Sequence, residues 1–425
     1  MNISTDKQLV VVDGVRTPFA RMGTALAACD AVELGRTAVS ALLTRSGIDP
    51  EIIDETIFGC VAQPADAANI ARVIALRAGI PERVPAVTVH RNCGSGLEAI
   101  TTAADKMAAG RGEVFVVGGT ESMSRVALYY SFAAAAKFAA LSRARSLGAK
   151  AAAALKFRPS DFAPIIGLRQ GLTDPVVDMN MGETAELLAR EFDISRESQD
   201  EFAFESNRKA LEATERLREE MCPVYLPGGR GGDGFVVGDN GPREGQTPEA
   251  LAKLRPVFEP KTGTVTAGNA SQITDGAVAL LVMTQARAEK LGLEPLGRLA
   301  GYAYSGCDPK RMGLGPAFAI RDLAKRYDLS PGDADVVEIN EAFATQVLAV
   351  LKCLEEDAFK GCRIDTEKLN PNGGAIALGH PVGASGARLV LTALHELKRR
   401  DARHALVSLC IGGGQGGAAW LEKPH

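Results

Sequence analysis

Short β-branched and apolar runs alternate with longer stretches of helical periodicity at both ends of this chain. The first set predicts a strand at Leu9–Asp13, a helix over Ala31–Arg45, a strand within Ile52–Val61 and a helix over Ile70–Ala78. A strand at Val87–Val89, a helix over Leu97–Ala109 and a strand at Val114–Val117 complete it. The second set predicts a strand at Leu296–Tyr304, a helix over Ala317–Tyr327, a strand at Ala334–Ile339 and a helix over Ala342–Glu355. A helix over Leu389–Arg399 and a last strand at Ala405–Cys410 follow. Such alternation implies an α/β fold built on a largely buried sheet. The two sets also share details. Gly94-Ser95-Gly96 and Ala384-Ser385-Gly386 each open a helix, and Phe115–Ser122 and Ser408–Gln415 each end a strand in glycines. A duplicated fold follows, with equivalent strand ends brought together where α/β proteins hold ligands.

The expected domains are residues 1–123 with 274–295, an insertion over 124–273, and residues 296–425. The insertion has a different character. From Ser122 to Ser160 there are seven Lys or Arg residues and no Asp or Glu, among many alanines. One or two basic amphipathic helices are expected there. They read as a solvated hairpin, or as a surface for an anionic membrane, a partner or a phosphorylated ligand. A charged helix over Glu183–Leu217 reads as a solvated face. Gly228–Gly234 lacks the Lys-Ser/Thr and strand–helix setting of a phosphate loop and reads as a turn.

Composition narrows the class. The chain has 425 residues, 46% of them hydrophobic, and a net charge of −4, which argues against nucleic acid as a partner. No apolar run approaches membrane-spanning length, and a polar start leads straight into the first strand without a signal peptide. The eight cysteines are scattered, with no Cys-x-x-Cys pair, so neither a zinc ribbon nor a disulfide framework is expected. A reduced, cytoplasmic enzyme without a metal is the expectation.

The candidate chemistry begins at Cys93, where a strand turns through Cys93-Gly-Ser-Gly96 into a helix. A thiol at a helix N-terminus is expected to favour the thiolate. Alone, the motif reads equally as a small buried cysteine before a tight turn. His380, in the glycine-dense turn Gly379-His-Pro-Val-Gly383, would take and return the thiol proton. Cys410 ends the last strand before three glycines, where a second thiol could exchange a proton at carbon. Asn340 reads as a helix N-cap or as the holder of a water in the cleft.

The segments Asn92–Gly96, Asn340–Phe343, Gly379–Gly386 and Cys410–Gly414 resemble the signature set of the thiolases, in that family's order. Val11–Phe19, Gly118–Ser124, Met181–Glu186 and Gly263–Ser271 are similar as well, so the resemblance covers essentially the whole chain. It implies a duplicated five-layer αβαβα fold with an inserted loop domain, and acyl transfer between thioesters of coenzyme A. It further implies an acyl-Cys93 intermediate with ping-pong kinetics, activated by His380. Cys410 would move the proton at the methyl carbon of acetyl-CoA, and Asn340 would hold a water beside His380 against the enolate. The N–H groups of Cys93 and Gly412 would cradle the second oxyanion. Ala267, Ser271, Met181 and Phe343 would border CoA and substrate. CoA is a substrate, and no bound cofactor is implied.

Two departures bear on substrate. Acetoacetyl-CoA specialists in the family commonly carry His where this chain has Asn180. The β subunits of fatty-oxidation complexes, which the basic insertion resembles, often carry His where this chain has Asn340. A 3-ketoacyl-CoA thiolase of broad or longer-chain preference is the reading. A strict acetoacetyl-CoA thiolase, a 3-ketoacyl synthase and a non-catalytic complex subunit are the alternatives. The resemblance also implies a homodimer or homotetramer, with contact through the region of residues 125–170 to a hydratase/dehydrogenase α subunit or a membrane surface.

Overall fold

The computed structural model describes residues 5–226 and 234–424. The turn expected at Gly228–Gly234 therefore lies almost entirely outside the described residues. In the first half the elements are β1 (Leu9–Arg16), α1 (Ala31–Ser46), β2 (Glu55–Gly59), α2 (Ile70–Arg77), β3 (Ala86–Val89), α3 (Ser95–Ala108), β4 (Val114–Glu121) and β5 (Thr274–Thr284). The second half has β6 (Gly297–Gly306), α4 (Gly315–Tyr327), β7 (Val336–Ile339), α5 (Ala344–Leu354), α6 (Val382–Arg400), β8 (His404–Ile411) and β9 (Gln415–Glu422).

The strand order repeats. From the middle outward the first half runs β1-β5-β4-β2-β3 and the second runs β6-β9-β8-β7. In both, the two inner pairings are antiparallel and the outer ones parallel. The counterpart of β3 is reduced to one parallel bridge, Val337 to Leu369. The halves join where β1 meets β6 over two residue pairs, Val10 with Arg298 and Val11 with Gly297.

Two strands escape the sequence pattern. In β5 every residue is buried, because both faces of the sheet are covered. Val278, Leu280 and Val282 enter the central core, while Ala277, Ala279, Leu281 and Met283 enter the outer one. A strand buried on both faces shows no alternation to read. In β9, two glycines and two alanines before Trp420 hide the strand.

The central core is filled by α3 and α6 between the two halves of the sheet, with α1 and α2 outside the first half and α4 and α5 outside the second. This gives five layers. The two central helices cross at their first turns without room for side chains. A Cβ at Gly96 would lie 2.7 Å from Ala387 N, and one at Gly386 would lie 2.5 Å from Leu97 N. Cys93 and His380 each sit two residues before one of these helices, so the crossing brings them to one place.

The expected helix over 183–217 is three helices, Met181–Glu191, Arg196–Glu212 and Thr214–Arg218, broken at Asp193 with φ +48°. Nor is it only a solvated face, since Glu186, Gln199, Asp200 and Asn207 are buried and hydrogen-bonded. The basic insertion forms helices Phe132–Arg143 and Leu147–Ala154. They are not amphipathic against the body of the protein, because Ala134 is their only buried residue. They are held instead by a local cluster of Tyr130, Phe138, Phe157 and Phe162.

Candidate active site

Cys93 follows Asn92, whose φ of +43° turns the chain sharply between β3 and α3. Asn tolerates that conformation better than other residues with a Cβ. The Asn92 side-chain amide donates to the Gly412 carbonyl at 2.8 Å, tying the turn to the opposite half. Gly412 opens the three-residue hairpin loop between β8 and β9, in which Gly413 and Gly414 take φ of +88° and +78°. The loop delivers the N–H of Gly412 to the Cys93 sulfur, where it and the N–H of Cys93 itself draw the thiol acidity in the anionic direction. Burial outweighs them, and the charge of Glu121 adds to it, so the Cys93 thiol is pushed above its ordinary value. The expected resting thiolate is thus replaced by a thiol. The physical reason is position: α3 begins at Ser95 with Gly94 as its cap, so Cys93 stands outside the helix on a partly buried turn.

Cys410, fully buried on β8, is pushed well above the ordinary thiol value by burial, by Cys93 and by Cys307. It shares an apolar cluster with Ala185, Val265, Met312, Ala342 and Phe343, bordered by Met181, Phe258 and Ala270. Met181 Sδ would lie 3.6 Å from a Cβ placed on Gly412, and Met181 packs against the cluster that Phe343 shares with Cys410.

His380 is buried, with its N–H shared between Gln272 O at 3.2 Å and Thr274 Oγ1 at 3.1 Å. Its Nδ1 lies 2.5 Å from Ser385 Oγ, and that hydroxyl donates to the Pro381 carbonyl at 3.0 Å. With the Ser385 proton so engaged, Nδ1 carries the imidazole hydrogen and Nε2 is left with its lone pair. Nε2 is buried and has no hydrogen-bond partner among the described residues. Burial, then the charge of Arg388, push this imidazole down to about 4, so it rests as a neutral base.

Asn340 follows β7, with its N–H on Ser408 O at 2.9 Å, two residues before Cys410 on the neighbouring strand. It is not an N-cap: α5 starts at Ala344 after Phe343, and both polar atoms of the Asn340 amide are buried without a partner. An unpaired buried polar group costs about 1–3 kcal/mol. Such groups persist where a bound species satisfies them.

Ser271 and Ala267 lie on the segment that leads to this site. Glu186 holds its start by accepting from Thr264 N and Val265 N, each at 2.9 Å. Asn269 O accepts from Ala344 N, the first N–H of α5, and Ala342 O accepts from Ser271 N. Ala267 is exposed and stands apart from the apolar cluster. Sequence reasoning gave no role to Glu186, Asn269, Ser385, Asn92 or Glu121. All five stand inside the quoted motifs, and those motifs were the only signal for them.

Among the described residues no group of three His, Cys, Asp or Glu is placed to hold a metal ion, and no helix is long and apolar enough to cross a membrane. The family model described as "Thiolase, N-terminal domain" matches residues 9–286, and "Thiolase, C-terminal domain" matches residues 293–423. The chain is 42% identical to an acetyl-CoA acetyltransferase of Cupriavidus necator, over 98% of this chain and 99% of that protein. It is 43% identical to a beta-ketoadipyl-CoA thiolase of Pseudomonas aeruginosa, over the same shares. Among solved structures, human mitochondrial 3-ketoacyl-CoA thiolase superposes with a TM-score of 0.87 at 38% identity, covering 99% of this chain and all (100%) of that one.

Proposed function

The chain belongs to the thiolase family, an enzyme family of acyl transfer, and from that membership we propose that it cleaves 3-ketoacyl-CoA with CoA through an acyl-Cys93 intermediate. The reverse condensation of acetyl-CoA uses the same groups. One observation carries the reading. A partly buried Cys93, a buried Cys410, a neutral His380 with a free Nε2 and the free amide of Asn340 come from facing elements of both halves.

In condensation, His380 Nε2 takes the Cys93 proton as the sulfur attacks the thioester carbon. The C–S bond to CoA then breaks, and the departing CoA sulfur takes the proton of Cys410, which leaves Cys410 as a thiolate and His380 as an imidazolium. Cys410 next removes a proton from the methyl carbon of acetyl-CoA. The enolate oxygen forms against His380 and a water on Asn340. The carbanion attacks acyl-Cys93, and the N–H groups of Cys93 and Gly412 hold the oxyanion until the Cys93 C–S bond breaks and His380 returns its proton to that sulfur. Each such donor is worth roughly 3 kcal/mol in the transition state. The raised thiol of Cys93 suits this order, since its proton leaves only as the base and substrate come together. Ping-pong kinetics follow from the acyl-enzyme.

We infer a broad or longer-chain acyl preference. Asn180 spends its side chain capping helix Met181–Glu191, accepting from Gly182 N at 3.0 Å, and so does not extend into the site. The adaptable thioethers of Met181 and Met312 border the cleft instead. A homo-oligomer is part of the proposal, because β3 ends the sheet with a free edge. So is docking of the basic hairpin on an anionic or partner surface, since Phe132, Leu147 and Leu155 are 92%, 86% and 87% exposed among its cations. Eight free cysteines are in keeping with a reducing, cytoplasmic setting.

Thiolysis by the purified protein across a 3-ketoacyl-CoA series, acetoacetyl to long chain, tests the reading. Activity that extends beyond acetoacetyl-CoA and disappears in Cys93→Ala is expected. Activity confined to acetoacetyl-CoA would overturn the chain-length proposal, and none at any length would overturn the chemistry.

A further inference from the structure

Glu121 takes no part in the steps above, yet it is a wholly buried carboxylate at the carboxyl end of β4. Its oxygens accept from the backbone N–H groups of Val61 at 3.0 Å, Ala62 at 2.9 Å and Gly383 at 2.9 Å, and Cys60 Sγ lies 3.7 Å away. None of these partners is a cation, so backbone dipoles and a thiol hold the group. Gly383 belongs to the first turn of α6, whose cap residue, Pro381, offers no side-chain acceptor. The first N–H groups of a helix have no partner within it, and negative charge there is favoured by the helix dipole. The helix that follows His380 is therefore capped from the other half of the molecule. The joint has no slack: a Cβ on Gly383 would lie 2.9 Å from Glu121 Oε2 and from Thr120 O, and 3.0 Å from Cys60 Cα.

We propose that Glu121 is a positioning residue, which caps α6 across the boundary between the halves and thereby sets His380 against Cys93. The inference rests on the acyl-transfer reading of the site. The carboxylate also faces Cys93, and its charge is one of the influences that keep that sulfur protonated at rest. Shape and charge can be separated by substitution. Glu121→Gln keeps the size, removes the charge and turns an amide N–H towards one of the backbone donors. Glu121→Asp keeps the charge but is one methylene too short to reach both loops.

The test measures kcat and KM for thiolysis in both variants, together with the pH dependence of Cys93 alkylation by iodoacetamide and the melting temperature. In Glu121→Gln, kcat is expected to fall roughly a hundred-fold, the scale of a misplaced catalytic group, with KM changed less than about three-fold. Its alkylation midpoint is expected to move to lower pH, because a nearby negative charge is gone. Glu121→Asp is expected to lose kcat while its alkylation midpoint stays at that of the unsubstituted protein. Unchanged kcat in both variants, or a loss matched by the fraction unfolded, overturns the proposal. Should Glu121→Gln not fold, Glu121→Asp decides alone by its kcat. Alkylation is read without substrate, so a wholly inactive parent protein would sink the proposed function while this profile still tests the contact.

Discussion

His380 illustrates how burial shapes a single side chain here. Its imidazole is held down to about 4 from an ordinary 6.5, so the folded protein takes up this proton later than the unfolded chain as pH falls. The resulting contribution to stability is complete above 6.5 and is lost as pH drops through 4. Its full size is about 3 kcal/mol. A His380→Asn variant should be inactive and should lose this part of the acid sensitivity. Melting temperatures from pH 7 down to about pH 4 check this, and parallel curves for the two proteins would refute it. At this scale the sequence put Cys93, His380, Cys410 and Asn340 forward as candidates. Their states were not legible there, since the thiol form of Cys93 and the idle amide of Asn340 depend on what surrounds them.

At the scale of elements, the crossing of α3 and α6 sets the tolerances. Both helices present glycine at the contact, and each missing side chain faces backbone atoms of the other helix. Gly96→Ala should cost about 1–3 kcal/mol, the usual range for overpacking a close contact. It should also lower kcat, because the chain carrying Cys93 would be pushed from His380. Urea unfolding and steady-state thiolysis measure the two effects, and a variant as stable and active as its parent would contradict the seam described. Strands marked by compact β-branched runs and helices with clear periodicity were readable from the sequence, among them β1, β4, α1 and α3. β5, whose apolar run has neither alternation nor a bounding turn signal, and β9, rich in glycine and alanine, were not. Helix starts were placed late at α6 because Ala384, Ser385 and Gly386 have no apolar periodicity to mark them.

For the molecule as a whole, the duplicated body and the inserted region behave differently. The body buries its apolar residues in three large cores, while the basic hairpin leaves several of them in solvent. A Phe132→Ser, Leu147→Ser double variant should keep kcat within about two-fold, since neither residue approaches the site. It should bind anionic vesicles more weakly than the parent in a sedimentation assay, and equal binding would count against a membrane role. Composition announced the hairpin's charge; that its apolar residues stand outward follows only from the fold.

The repetition of the fold has a consequence for inheritance of damage. Duplicated structures usually suggest a spare copy, but here the matching positions carry unlike residues, a cysteine before α3 and a histidine before α6, with unlike duties in the proposed mechanism. Neither half contains a backup for the other. A lesion in either one silences the whole, and any drift in one half must be answered by a matching change across the seam. What looks like redundancy in architecture is mutual dependence in chemistry.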